Sequence, residues 1–269
     1  MGCTLTTAER LHELVNYREL VLNLTRRDLR LKYKGSVLGV AWSLLNPLLM
    51  MAIYTAVFSV FLRAVTVPHY WALVLGGLLP WIFFSNSLNA ATVSFIRAPN
   101  LLTKIYFPIE SLPMAVVLAN FVNFLISLAV LLVILGFVGL LGPSLILLPV
   151  ILLAQLATTL GLAIAISAVT VYFRDLEHLV VIAITAWFYL TPVLYPLDPR
   201  ALPAGAGQYI GYLKLNPLSW LFESYHSVLF YKTWPDPTTF TLMLAFALVS
   251  LAAGYLIFAR LRPRIPEEV

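Results

Sequence analysis

Few side chains in this sequence are arranged for covalent chemistry. His12-Glu13 begins like the helix of a zinc protease but continues Leu14-Val15-Asn16, so the second histidine of H-E-x-x-H is missing. The lysines at 32, 34, 104, 214 and 232 each follow a residue other than glycine, so none of them closes a Walker-type phosphate loop. Gly-x-Ser-x-Gly is absent as well. Cys3 is the single cysteine, which leaves no intrachain disulfide and no Cys/His metal cluster. It reads as an ordinary residue of the N-terminal segment. His69, His178 and His226 fall at or beyond the ends of apolar runs and read as interfacial side chains. What remains is non-covalent. Tyr54, Phe58, Trp81, Phe83, Phe84, Trp187, Phe188 and Tyr189 sit in uncharged stretches. Rings beside neutral hydroxyl and amide groups suit the C–H faces and hydroxyls of sugars. Each ring taken alone reads first as a packing or lipid-facing side chain, and the path reading rests on the set.

The elements that must position these rings follow from composition. The chain has 269 residues, 61% of them hydrophobic and 11% charged, with a mean hydropathy of +0.92. A soluble domain carries roughly 25% charged residues. A soluble enzyme, a disordered tail and a nucleic-acid-binding module are thereby excluded. The net charge of +5 reflects cations gathered in the segments between long uncharged runs. A helix needs about 20 apolar residues to cross about 30 Å of hydrocarbon. Six such spans are expected, at 37–62, 70–96, 111–138, 144–173, 179–197 and 237–259. The third and fourth belong to one charge-free stretch between Glu110 and Arg174, which must fold back at Gly139-Leu140-Leu141-Gly142-Pro143. The fold class is all-α and polytopic: a segment 1–36, a six-helix membrane domain 37–260 and a tail 261–269. Thirteen of the 17 Lys and Arg residues fall in segments 1–36, 97–110, 174–178 and 260–269. Their excess places both chain ends in the cytoplasm.

Two segments outside the spans carry further pattern. Thr6-Thr7-Ala8-Glu9 reads as a capping box, and apolar residues from Leu11 to Leu29 recur near helical spacing. This amphipathic helix would lie in the inner interface, as a topology anchor or as a docking surface. Residues 198–236 are apolar yet broken by proline and glycine, and carry Tyr209, Tyr212, Trp220 and Tyr225. They read as an outer hairpin of re-entrant or interfacial half-helices, either a gate or an ordinary aromatic belt. No span holds Asp, Glu, Lys or Arg, which argues against a proton- or ion-coupled carrier. An intramembrane transferase would need a polar catalytic pair, and none is found.

Several stretches resemble one family. Arg27-Asp28-Leu29-Arg30-Leu31-Lys32-Tyr33, Gly35-Ser36-Val37-Leu38-Gly39, Trp42 and Asn46-Pro47 are similar to the approach to the first span in polysaccharide-exporting ABC permeases. These are type-2 membrane subunits that move O-antigen, capsule or teichoic acid chains. Gly77-Leu78-Leu79-Pro80-Trp81-Ile82-Phe83-Phe84-Ser85-Asn86-Ser87 resembles their second span. Tyr172-Phe173-Arg174-Asp175-Leu176 and Trp187-Phe188-Tyr189-Leu190-Thr191-Pro192-Val193 resemble their fourth-to-fifth span region, as does Tyr195-Pro196. Leu215-Asn216-Pro217-Leu218 matches the segment before the last span.

The resemblance implies a homodimer in the inner membrane, paired with two copies of a separate cytoplasmic ABC ATPase that holds ATP and Mg. This chain would bind no cofactor of its own. A polyprenyl-linked polysaccharide would pass along the dimer interface, among membrane lipid and with no nucleic acid involved. Arg27, Asp28 and Arg30, the 97–110 loop with Asn100 and Lys104, and Arg174-Asp175 would face the ATPase. Arg174-Asp175 has a second reading as a local pair ending the fourth span. A type-2 permease for a drug or lipid is the alternative within transport.

Overall fold

The computed structural model describes residues 17–36, 39–61, 67–96, 108–197 and 210–265. Their regular structure is helical throughout. In chain order the helices are α1 (Arg18–Tyr33), α2 (Trp42–Thr55), α3 (Tyr70–Thr92), α4 (Ser111–Phe137), α5 (Leu148–Tyr172), α6 (Leu176–Leu190), α7 (Ile210–Leu213), α8 (Pro217–His226) and α9 (Pro237–Leu261). Wider π-type turns extend α2 through Ala56–Phe61 and α8 through Ser227–Tyr231. The Thr6–Glu9 capping box lies outside the described residues.

Five helices are long and apolar enough to cross a bilayer: Trp42–Ser59, Tyr70–Thr92, Ser111–Phe137, Pro143–Tyr172 and Pro237–Leu261. The fifth expected span differs. Its helix covers Leu176–Leu190, 15 residues, or about 22 Å at about 1.5 Å per residue. Thr191 precedes Pro192, and a residue before proline is pushed out of the helical region; Thr191 is extended with ψ 139. The chain then continues without helix through Leu197, with Thr191, Val193 and Leu194 buried. Irregular backbone at such depth is tolerated where protein covers it.

Contacts at helix ends show how the rods alternate. At one end Arg262 pairs with Glu110 at 2.9 Å, the Tyr172 hydroxyl donates to the Leu261 carbonyl, and Phe95 stacks on Phe258. Leu24 of α1, Ile109 and Leu112 join the same apolar cluster. At the opposite end Tyr70 Oη donates to the Leu194 carbonyl, and Lys232 Nζ donates to the carbonyl of Gly139. Gly139, at φ 72, makes the turn expected between α4 and α5.

The middle rod is α3, in which Leu73, Val74, Phe84 and Leu88 are enclosed. A side chain on Gly77 would stand 2.3 Å from the Val193 carbonyl, so its absence lets the irregular 191–197 stretch lie against α3. Helices α5 and α9 meet still more closely. A Cβ on Gly254 would fall 2.0 Å from the Gly161 carbonyl, and one on Gly161 would fall 2.2 Å from that of Ser250. Small residues let backbones approach in this way, and in lipid that packing replaces the hydrophobic drive available in water. Proline inside α2 is also accommodated. Pro47 cannot donate to the carbonyl four residues back, which is Ser43. Ser127 Oγ of α4 donates to that carbonyl instead, at 3.0 Å.

Candidate functional site

The rings expected to line a path form one connected set, apart from Phe83. Tyr54 of α2 meets Phe58 and Phe188 with centroids 6.4 and 6.0 Å apart. Phe188 meets Trp81 at 5.3 Å and Tyr189 at 5.2 Å, while Trp81 meets Phe84, which meets Trp187 edge-on. Phe83 points elsewhere and stacks on Phe124 of α4. Trp81, Phe83, Phe84 and Phe188 are buried and act as packing. Tyr54, Phe58 and Trp187 are half-buried, and Tyr189 is 63% exposed. The chain of rings therefore starts in the bundle and surfaces on the side formed by α2 and α6. That side is apolar and open: Leu49, Met50, Ile53, Val57, Leu179, Ile182 and Leu190 are exposed there.

The outer hairpin residues do not gather at one spot. Tyr209 lies outside the described residues. Tyr212 is 73% exposed, and Trp220 packs edge-on against Phe246 of α9. Tyr225 is enclosed in the bundle, where its hydroxyl donates to Gln155 Oε1 of α5. Gln155 Nε2 in turn donates to the Pro80 carbonyl of α3 at 2.8 Å. Helix α8 is thus pinned to two spans by a buried polar relay. A second tie holds its start: Asn216 caps α8 through Leu218 N, accepts from Trp187 Nε1 and donates to the Leu190 carbonyl and Thr191 Oγ1. This cap satisfies one of the orphan carbonyls left where α6 stops, that of Leu190.

At the opposite end lie the residues expected to meet an ATPase. Helix α1 buries Val21, Leu24 and Thr25 and leaves Arg26, Arg27 and Arg30 exposed. Asn23, Arg26, Arg27, Arg30, Leu31 and Lys34 line an open hollow of about 700 Å³. Arg27 is tied to Asp28 at 3.0 Å, an exposed pair worth little to stability. Asn100 and Lys104 lie outside the described residues. Arg174 and Asp175 are exposed, and no ion pair joins them. They line a separate hollow of about 690 Å³ with Phe173, which is 68% exposed. The buried Glu110–Arg262 pair links the end of the 97–110 segment to the end of the last span.

Between these two ends, α1 to α4 enclose a polar recess of about 280 Å³ lined by Lys32, Asn46, Asn86, Asn120, Asn123 and Ser127, among others. It shares Lys32, Asn86 and Asn120 with a larger hollow of about 850 Å³ that runs toward α6. The signal for it in the sequence is the spacing Asn86/Asn89 and Asn120/Asn123, which puts each pair on one helix face.

The comparisons with known proteins agree with this architecture. The model of the ABC-2 type transporter family matches residues 19–230. The chain belongs to the ABC-2 type transporter family. Curated relatives extend the likeness beyond the family model. This ABC-2 chain is 38% identical over 259 residues to the O-antigen export system permease protein RfbA of Myxococcus xanthus, covering 96% of this chain and 98% of that one. It is 32% identical over 252 residues to the RfbA permease of Klebsiella pneumoniae, covering 93% and 94%.

Proposed function

We propose that this ABC-2 chain is the membrane subunit of an ATP-driven exporter that carries a lipid-linked cell-surface polysaccharide out of the cytoplasm. The polymer class is that of O-antigen, capsule or wall teichoic acid. The observation that carries the reading is the chain of rings emerging on the open α2/α6 side. Two copies meeting through that side form a neutral, ring-lined path. Rings give a passing polymer weak repeated contacts that hold it without trapping it. Similarity to O-antigen export permeases over nearly the whole chain supports the same substrate class.

ATP and Mg reside on two copies of a separate cytoplasmic ATPase, and this chain contributes the surfaces that ATPase grips. The exposed arginines of α1 and the Arg174–Asp175 corner receive the motion, and the Glu110–Arg262 clamp passes it to α9. A partner can shift the permease between states only by its differential affinity for them. The chain sits in the inner membrane with both termini cytoplasmic, as its excess of inner cations supports.

The test is export in cells lacking the chromosomal copy, complemented by wild type or Tyr189→Ala. Wild type restores surface polysaccharide. Tyr189→Ala slows export more than it slows ATP turnover in the reconstituted complex. Undiminished surface polysaccharide in the uncomplemented cells would sink the reading, and export of a drug or lipid in its place would move the chain to another ABC-2 substrate class.

A further inference from the structure

We infer that the asparagine-lined recess between α1, α2, α3 and α4 is a binding subsite for a glycosyl phosphate head group, with Lys32 taking the phosphate and the carboxamides taking the sugar hydroxyls. The inference rests on the export reading and deepens it. Among the five helices long enough to span, the sequence holds five asparagines: 46, 86, 89, 120 and 123. All five line the recess or the hollow continuous with it. A carboxamide facing hydrocarbon without a partner costs several kcal/mol. Five gathered at one place need a polar reason.

Interhelical bonding is the ordinary reason, and among the described residues it leaves Asn46, Asn86 and Asn89 Oδ1 unaccounted for. Asn120 Nδ2 donates within its own helix, to the Val116 carbonyl, while its Oδ1 accepts from Lys32 Nζ at 3.2 Å. Asn46 and Asn86 are exposed into the recess and make no side-chain hydrogen bond to a described residue. Asn89 Oδ1 is enclosed with no donor among them. The Asn46 and Asn86 carboxamides each offer donors and an acceptor, which matches a hydroxyl on either side. The recess holds one charged group, Lys32, and no carboxylate. Arg27, Asp28 and Glu177 stand farther out, in the adjoining hollow. Lys32 is thus the cation placed for an anionic oxygen, and Trp42, which is 47% exposed, offers a ring face at the rim. The volume of about 280 Å³ suits one sugar ring rather than a polymer.

Two sources carry this chemistry: a lipid-linked saccharide and a phospholipid head group. The permease–ATPase complex in phosphatidylcholine nanodiscs distinguishes them. Its probes are undecaprenyl diphosphate-N-acetylglucosamine, undecaprenyl phosphate and phosphatidylglycerol, with bound probe counted by native mass spectrometry. Lys32→Gln weakens both polyprenyl probes about tenfold, as loss of a charge-assisted bond does, and Lys32→Arg restores them. The Asn46→Ala/Asn86→Ala pair weakens the sugar-bearing probe about tenfold and leaves undecaprenyl phosphate within about twofold. Unchanged melting temperatures keep these losses separate from misfolding; both asparagines are exposed, so their truncation opens no cavity.

Wild type that binds neither polyprenyl probe overturns the subsite, and so do variants that all bind like wild type. Phosphatidylglycerol that competes equally, and is lost in the same variants, assigns the recess to membrane lipid and overturns it too. The export reading fails separately, by intact surface polysaccharide in cells without the chain.

Discussion

At the scale of single residues, polar side chains in this protein matter through what surrounds them. Glu110 is 3% exposed and Arg262 22%, and their 2.9 Å bond is the enclosed one of two described ion pairs. Removing one partner of such a pair strands the other charge, at a cost of about 3 kcal/mol or more. Arg262→Ala is therefore expected to lower the melting temperature in detergent sharply. The double change Arg262→Ala/Glu110→Gln recovers part of the loss, because a neutral amide is cheaper to leave buried. A double change as unstable as the single one would show that Arg262 acts through its stem and not its charge. The pair was not legible beforehand: Glu110 and Arg262 lie 152 positions apart, and each looks like an ordinary loop charge. The asparagines were half legible, since their i, i+3 spacing marks a face but not which faces converge.

At the scale of elements, the closest contact is the crossing of α5 and α9 at Gly161 and Gly254. A Gly254→Val change must push the two helices apart, since the added carbon would meet backbone and not a movable side chain. The expected loss is about 3 kcal/mol, read as lowered yield and melting temperature. Gly211→Ala, with nothing within 4 Å of the new methyl, serves as the neutral control.

The start of α9 gives a pH-dependent case. Asp236 caps it by accepting from Thr239 N at 2.9 Å, and that bond lowers its carboxyl pKa below 3.8. A depressed folded-state pKa means the cap helps above the unfolded-state value and is lost as pH falls through the folded one. Wild type should melt above Asp236→Ala near neutrality, with the gap closing below pH 3.8. A gap constant through that range would assign the effect to something other than the cap's charge. The elements themselves were largely readable from uncharged runs. The exception is α6, where Pro192 ends the helix at Leu190 inside an unbroken apolar stretch.

At the scale of the whole molecule, the protein has two ends of different character. One end carries the exposed arginines of α1 and the Arg174–Asp175 corner, and the other is tied down by α8 and its Asn216 cap. Arg174→Ala and Asp175→Ala remove exposed groups with no ion-pair partner among the described residues, so melting temperature should change little. Reconstituted with its ATPase, each variant should hydrolyse ATP yet export several-fold less polymer per ATP. Wild-type export by both would separate this corner from coupling.

Hydrophobicity, charge placement and proline position are local quantities, and they were enough to determine a polytopic helical membrane protein with most of its cations in alternate loops. The turn at Gly139, the long rods and most of their boundaries follow from those quantities alone. Which faces meet is not local. The burial of Tyr225 against Gln155, the surfacing of the ring chain at Tyr189 and the gathering of five asparagines each depend on several helices settling at particular rotations. Rotation carries little one-dimensional signal in spans that are apolar all round. Only packing in three dimensions, through close approaches such as Gly161 against Gly254, decided it.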